Sequence, residues 1–459
     1  MRFSRSFALC AYLQGEVRHG TAGVRQGRSD RRLTGRGASD PVDIARALYA
    51  AHTSCSLSQS AETFVTPPLA GIRVVDLSQI VSGPMAACIL ADQGADIIKV
   101  ETPGGDPVRG LGPKKGDLSA MFIAVNRGKQ GIALDLKQPA ACAVLRDLIA
   151  RADVLIENFR PGVIDRLGFG WEACRALNPR LVFASITGFG PDGPYSNIRV
   201  YDPVVQAVSG LAATQVDGEG RPGLIRSLIA DKVTALTAAQ AITAALFVRE
   251  RTGEAQRVDI AMLDAAVAFN WPDGMYNHGF ADDPPPAFPE YGAMMRLWAA
   301  ADGQVAIGSL QDAEFAALMR AVGLDDLAED PRLRGVAGRM ALQKEWAPRL
   351  SAALKATDLD TLMTGFVREG AVGGRVNALA QVPGDPQVRH NAIVAEIDHG
   401  ATGRVRSPRG AARFGATAQL APRPAPHLGE HSVAILRELG RDDETIAALL
   451  AAGAVKSPD

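Results

Sequence analysis

The stretch Leu228-Ile229-Ala230-Asp231-Lys232-Val233-Thr234 sets an acid where an apolar approach turns into a long amphipathic run. Val233, Leu236, Ala239, Ile242, Ala245 and Leu246 recur at helical spacing, and Gly253 closes the run after Arg249, Glu250 and Arg251. Asp231 therefore belongs at or beside a helix N-terminus. Two roles suit an acid there. As an N-cap, its carboxylate would accept hydrogen bonds from the orphan N–H groups of the first turn. As a nucleophile it must be ionised, and the positive end of a helix favours that state. The two roles are compatible, and these residues alone leave both open.

Other spacings suggest chemistry that their context argues against. Gly188-Phe189-Gly190-Pro191-Asp192-Gly193 satisfies a dinucleotide-binding pattern, yet Pro194 and the turn formers around it do not open the helix that pattern requires. His427 and His431 stand four apart, a metal-compatible spacing only in a helix, and Pro426 and Gly429 argue for a loop. No metal site is expected. Neither a nucleophile elbow nor a phosphate-binding lysine loop occurs in the chain.

The elements that must position Asp231 read as alternating strands and helices. Ile72 to Leu77, Ala95 to Glu101, Gly131 to Leu136, Asp153 to Glu157, Arg180 to Ile186 and Gln256 to Ile260 read as strands. Helices are expected over Met85 to Gln93, Pro139 to Arg151 and Trp171 to Leu177, with a short one over Ala261 to Asn270. This alternation predicts an α/β protein whose large domain, residues 67–280, is a doubly wound parallel sheet. Asp282-Asp283-Pro284-Pro285-Pro286 reads as a stiff connection to a smaller α+β domain over 290–385. Residues 386–455 close the chain, with helices over Ser432 to Leu439 and Glu444 to Leu450. Ligands in such sheets bind beyond the carboxyl ends of the strands, which puts the candidate floor at Ser78 to Ser82, Thr102 to Asp106, Asn158 to Gly162 and Thr187 to Tyr195.

The first 66 residues differ in texture: Arg2, Arg5, Arg18, Arg25, Arg28, Arg31, Arg32 and Arg36 are mixed with serine and glycine and show little apolar periodicity. A disordered extension is expected there. Over the 459 residues the formal net charge is -1, which gives no electrostatic basis for a nucleic-acid partner. No apolar run reaches the roughly 18 to 20 residues of a membrane-spanning helix, so no membrane partner is expected. Five cysteines, odd in number and without a C-x-x-C pair, point to a reducing, cytoplasmic setting.

Several segments, in collinear order over residues 68 to 455, resemble the class III CoA-transferases, which include formyl-CoA and carnitine CoA-transferases. They are Pro68 to Leu77, Leu90 to Glu101, Asp153 to Gly168, Tyr201-Asp202-Pro203-Val204-Val205-Gln206-Ala207, the Ile229-Ala230-Asp231 turn and Pro424 to His431. The resemblance implies that Asp231 is the catalytic aspartate, attacking an acyl-CoA thioester and passing through an aspartyl anhydride and an aspartyl-CoA thioester. It implies an acyl-CoA and a small carboxylic acid as substrates, no permanently bound cofactor, and an intertwined homodimer. For CoA it implies Ile80, Val81 and Ser82 through their backbone, with Leu134, Lys137, Asn158, Phe159, Arg160, Arg166 and Arg199. Asn158 can hydrogen-bond, Phe159 can stack, and the cations can pair with phosphates. Each also has a plainer role, as turn stabiliser, core residue or solvated charge. Arg109 is a further phosphate candidate.

Two departures from formyl-CoA transferase matter. Thr102 replaces its arginine and Val81 its glutamine; beyond these two, no glycine-run flap appears near Tyr291-Gly292-Ala293. The formyl and oxalate pair is therefore not expected, and cover for the anhydride has to come from elsewhere, such as the small domain of a partner subunit. One alternative is an α-methylacyl-CoA racemase, but Tyr201 stands where that enzyme has its histidine base, and a phenol holds its proton at neutral pH. A CoA-binding protein without turnover is the other alternative.

Overall fold

The computed structural model describes residues 66–417 and 419–458. The extension expected over residues 1 to 66 lies, apart from Thr66, outside the described residues.

The central sheet has seven strands. Six are mutually parallel: β1 (Arg73–Asp76), β2 (Asp96–Glu101), β3 (Gln130–Leu134), β4 (Val154–Glu157), β5 (Val182–Thr187) and β6 (Arg257–Ala261). The seventh, the C-terminal Val455–Lys456, pairs antiparallel with β3 and closes that edge. Across the sheet the order is Val455–Lys456, β3, β2, β1, β4, β5, β6. The chain thus builds outward from β1 through β2 to β3, then returns to the other side of β1 and builds the opposite way. The loops leaving β1 and β4 part company, and a crevice opens between them at the carboxyl ends of the strands.

Helices cover both faces, so the strands are apolar on both sides; Val74, Val75, Leu155 and Ile156 are fully buried. One face carries α1 (Ser82–Asp92), α2 (Asp202–Val208), α3 (Ile229–Thr252) and the helix Met262–Gly274. Ala86, Ala87, Ala235, Ala238 and Ala239 are buried where α1 and α3 meet, and these small side chains let the helix backbones approach closely. Pro139–Ala150, Trp171–Leu177, Ser432–Glu438 and Asp443–Ala451 cover the other face around Val144, Leu148, Phe183, Ile435 and Leu436. Residues 432–456 therefore cover one face and close one edge of the sheet.

Residues 297–375 have a core of their own. An antiparallel sheet of Leu297–Ala299, Gln304–Gly308 and Val372–Arg375 packs with helices Asp312–Ala321, Gln343–Lys355 and Leu359–Glu369 around Val305, Phe315, Met319, Leu350, Leu354 and Phe366. Asp358 caps the last of these helices by accepting from the Thr361 N–H, and Gly370 ends it in the left-handed conformation.

Among the elements not expected are α2, the hairpin Val394–Asp398 with Arg404–Pro408, and Val455–Lys456. Each is short, and two owe their pairing to partners distant in sequence or to strongly charged strands. No helix among the described residues is long and apolar enough to cross a membrane.

Candidate active site

A cleft of about 680 Å³ opens where the loops after β1 and β4 separate. Gln79, Ile80 and Ser82 line it from the β1 side and Asn158, Phe159, Arg160 and Arg166 from the β4 side. Thr187, Gly188 and residues 196–201 follow from β5, and Asp231 and Met262 from the helical face. Of the expected site residues, Asp231, Ile80, Ser82, Asn158, Phe159, Arg160, Arg166 and Arg199 meet in this one cleft. Val81, Leu134 and Lys137 are not among its lining residues. Val81 is buried as the N-cap of α1, Leu134 is buried at the end of β3, and Lys137 is exposed in the turn beyond it.

Asp231 is the third residue of α3, and Leu228 holds the cap position without a side-chain hydrogen bond. The N-cap role is thereby corrected: Asp231 does not cap this helix. Its own N–H is capped instead, donating to Asp202 Oδ2 at 3.0 Å. Its side chain is 8% exposed. Burial, and then the neighbouring Asp202 charge, push its carboxyl up to about 6, while the Ser82 hydroxyl and N–H pull the other way. Ser82 opens α1, so the first turns of two packed helices face this acid, and both helix dipoles favour its anion. The site holds a carboxylate that is short of charge compensation yet still ionised for the most part at neutral pH.

Asp202 and Gln206 form the support. They lie four apart on α2, Gln206 Nε2 donates to Asp202 Oδ1 at 2.5 Å, and the same amide donates to the carbonyls of Ile225 and Ser227. Gln206 Oε1 accepts the Ile225 N–H at 2.9 Å. One amide thus fastens the loop that delivers Asp231. The i, i+4 spacing of an acid and an amide on a short helix was the available signal.

Asn158 serves as a turn clamp. Its Oδ1 accepts the Gln79 N–H and its Nδ2 donates to the Gln79 carbonyl, both at 2.8 Å, leaving one N–H and one lone pair for a ligand. Phe159 is half-buried against the sheet core, so it serves core and cleft together. Arg160, Arg166 and Arg199 line the cleft with exposed side chains, a group of cations suited to phosphates.

The remaining candidates are structural. Arg109 is 7% exposed, forks onto Glu101 at 2.7 and 2.8 Å, and reaches Asp117 Oδ2 at 2.9 Å, so it is not a phosphate ligand. His427 pairs with Asp117 at 2.5 Å, and His431 Nδ1 accepts the Gly131 N–H, so these histidines fasten the C-terminal segment to the turn at Asp117 and to β3. The glycines at 188–193 make a turn: a Cβ on Gly188 would sit 1.9 Å from Val200, and Gly190 and Gly193 have positive φ. Tyr201 lines the cleft and is mostly exposed.

A buried acid at two converging helix ends thus stands over a cation-lined cleft at the switch point of a doubly wound sheet, an arrangement able to receive an anionic ligand. The profile of CoA-transferase family III matches residues 69–432, and the chain belongs to that family. It is 34% identical over 391 residues to a succinate–glutarate CoA-transferase of Agrobacterium fabrum, covering 83% of this chain and 97% of that one. It is 32% identical to a human succinyl-CoA:glutarate CoA-transferase, covering 84% and 90%. A crystal structure of a CAIB/BAIF family protein from Brucella suis superposes with a TM-score of 0.72 at 33% identity, covering 82% of this chain and all of that one. The protein is an enzyme that transfers CoA.

Proposed function

We propose that this enzyme moves CoA between two carboxylic acids through covalent intermediates on Asp231. The Asp231 carboxylate attacks the donor thioester and expels CoA thiolate, leaving a mixed aspartyl anhydride. The thiolate returns to the aspartyl carbonyl, releases the donor acid and forms an aspartyl-CoA thioester. The acceptor carboxylate then runs both steps in reverse. An anhydride intermediate is required because a free carboxylate carries no leaving group that a thiolate can displace. The observation that carries this reading is the burial of Asp231 at the inner wall of the cleft with no cation, among the described residues, contributing to its charge balance. Acylation removes a charge that the site disfavours, while Ser82 and the two helix ends are placed to meet the negative charge that develops on the attacked carbonyl.

The relatives' names suggest dicarboxylic acids of four or five carbons as substrates, with succinyl-CoA as one donor. Racemisation is disfavoured by Tyr201 in the cleft. Exchange of labelled CoA between succinate and glutarate is the direct assay. Asp231→Ala should lose at least about a thousand-fold in rate; full exchange by that variant would refute the mechanism.

We also propose an intertwined homodimer. Val204 and Val208 of α2, Leu236 and Phe247 of α3, and Phe269 and Trp271 beyond them are exposed apolar side chains on three helices packed together, a surface suited to a second copy. Sedimentation equilibrium should give twice the chain mass, and a stable folded monomer would contradict this. Cys88, Cys142 and Cys174 are free thiols, which suits the cytoplasm where we place the enzyme.

A further inference from the structure

Ile80 has a φ of 71°, in the left-handed region that a β-branched residue avoids. What holds it there is ionic. The Ile80 N–H points between the two oxygens of the Asp106 carboxylate, at 3.2 and 3.3 Å. Asp106 Oδ2 also accepts from Lys99 Nζ at 3.1 Å, and the same ammonium donates to the Ser78 carbonyl. From the other side, Asp76 accepts the Ser78 N–H and hydroxyl and is paired with Lys129 at 2.8 Å. These two acids and two lysines are at most 4% exposed. Gly83 lets α1 come this close, since a Cβ there would lie 2.3 Å from the Ser78 side chain.

Two residues beyond Ile80, Ser82 lines the same cleft as Asp231, and its N–H and hydroxyl favour the Asp231 anion. We propose that Asp106, with Lys99 as its counter-ion, is a positioning residue for CoA transfer: it holds Ile80 left-handed and so aims Ser82 and the first turn of α1 at the Asp231 carboxylate. This rests on the reading of Asp231 as the nucleophile. A carboxylate is required at 106 because it accepts from three donors, the Ile80 and Val108 N–H groups and the Lys99 ammonium, without offering one of its own. An asparagine there would turn an NH₂ toward one of those donors. A charge-assisted bond to the Ile80 N–H is also stronger than a neutral one, which is what a disfavoured backbone conformation needs.

The test compares four full-length enzymes: the parent, Asp106→Asn, Ile80→Gly, and the two changes together. Glycine adopts positive φ without steric cost, so it no longer depends on Asp106. In the parent background Asp106→Asn should lower kcat by about 30-fold and move the acid limb of the pH profile upward, because Ser82 no longer favours the Asp231 anion. In the Ile80→Gly background the same change should cost less than about three-fold and leave the limb in place. Equal losses in both backgrounds, with an unmoved limb, would overturn the proposal. Should Asp106→Asn fold poorly with Lys99 left unpaired, the same cycle is run with Lys99→Met added throughout, and the same outcomes decide it. Turnover retained by Asp231→Ala would overturn the nucleophile and not the coupling between Asp106 and Ile80; additive losses beside an inactive Asp231→Ala would overturn the positioning role alone.

Discussion

Asp76, on β1 beneath the cleft, and Asp231, in the cleft wall, are both buried, and their surroundings drive them in opposite directions. Burial raises the Asp76 carboxyl too, but Lys129 and Lys99 outweigh it and hold the group below the ordinary carboxylate range. Asp231 has another acid beside it in place of a lysine and is pushed up to about 6. The counter-ion, more than depth, separates a joint in the scaffold from the group proposed as the nucleophile. A carboxylate with its ammonium in place has little to gain by acylation. One held by Ser82 and helix ends alone is more basic, and acylation relieves its desolvation.

The largest effect should come from breaking the paired side. Asp76→Ala leaves Lys129 buried without its partner, and denaturant unfolding should show a loss of about 3 to 5 kcal/mol; a loss under about 1 kcal/mol would mean that the pair is not structural. A smaller change of opposite sign is expected on the unpaired side. The folded carboxyl of Asp231 lies above the ordinary aspartate value of 3.8, so its ionisation opposes folding above about pH 6, and this opposition fades as the pH falls toward 4. Asp231→Asn should therefore be more stable by on the order of 2 kcal/mol at pH 7 to 8 and should lose that advantage below about pH 4. Destabilisation at pH 8 would contradict the account. The smallest effect sharpens the comparison. Asp202→Asn keeps an acceptor for the Asp231 N–H but removes the neighbouring charge, so the acid limb of kcat/KM, expected near about 6 in the parent, should move down by less than about one unit. An upward move would show that Asp202 assists ionisation.

Much of the fold was legible because parallel strands buried on both faces leave long apolar runs between helical periods. Ile72 to Leu77 and Ala95 to Glu101 anticipate β1 and β2 closely. The hairpin over 394–408 was obscured by Arg404 and Arg406, which stay exposed on it, and Val455–Lys456 is two residues long and exists through β3. At the site, Asp231 stood out at the head of a long helix, while its exact place at the third helical position depended on where the turn begins. The support was less visible because it is non-local: Asp202 reaches Asp231 and Asn158 reaches Gln79 across separate elements. One signal was present and unused. Lys99 and Glu101 interrupt an apolar strand, and both are buried; a charge in such a run must find a partner, here Asp106 and Arg109.

The central claim is covalent chemistry at Asp231. The enzyme should be mixed with succinyl-CoA, quenched with hydroxylamine within a turnover, digested and examined by mass spectrometry. The account predicts a hydroxamate on the peptide carrying Asp231, absent when acyl-CoA is omitted. A quenched enzyme that turns over while that peptide stays unmodified, or a hydroxamate confined to another acid, would contradict it.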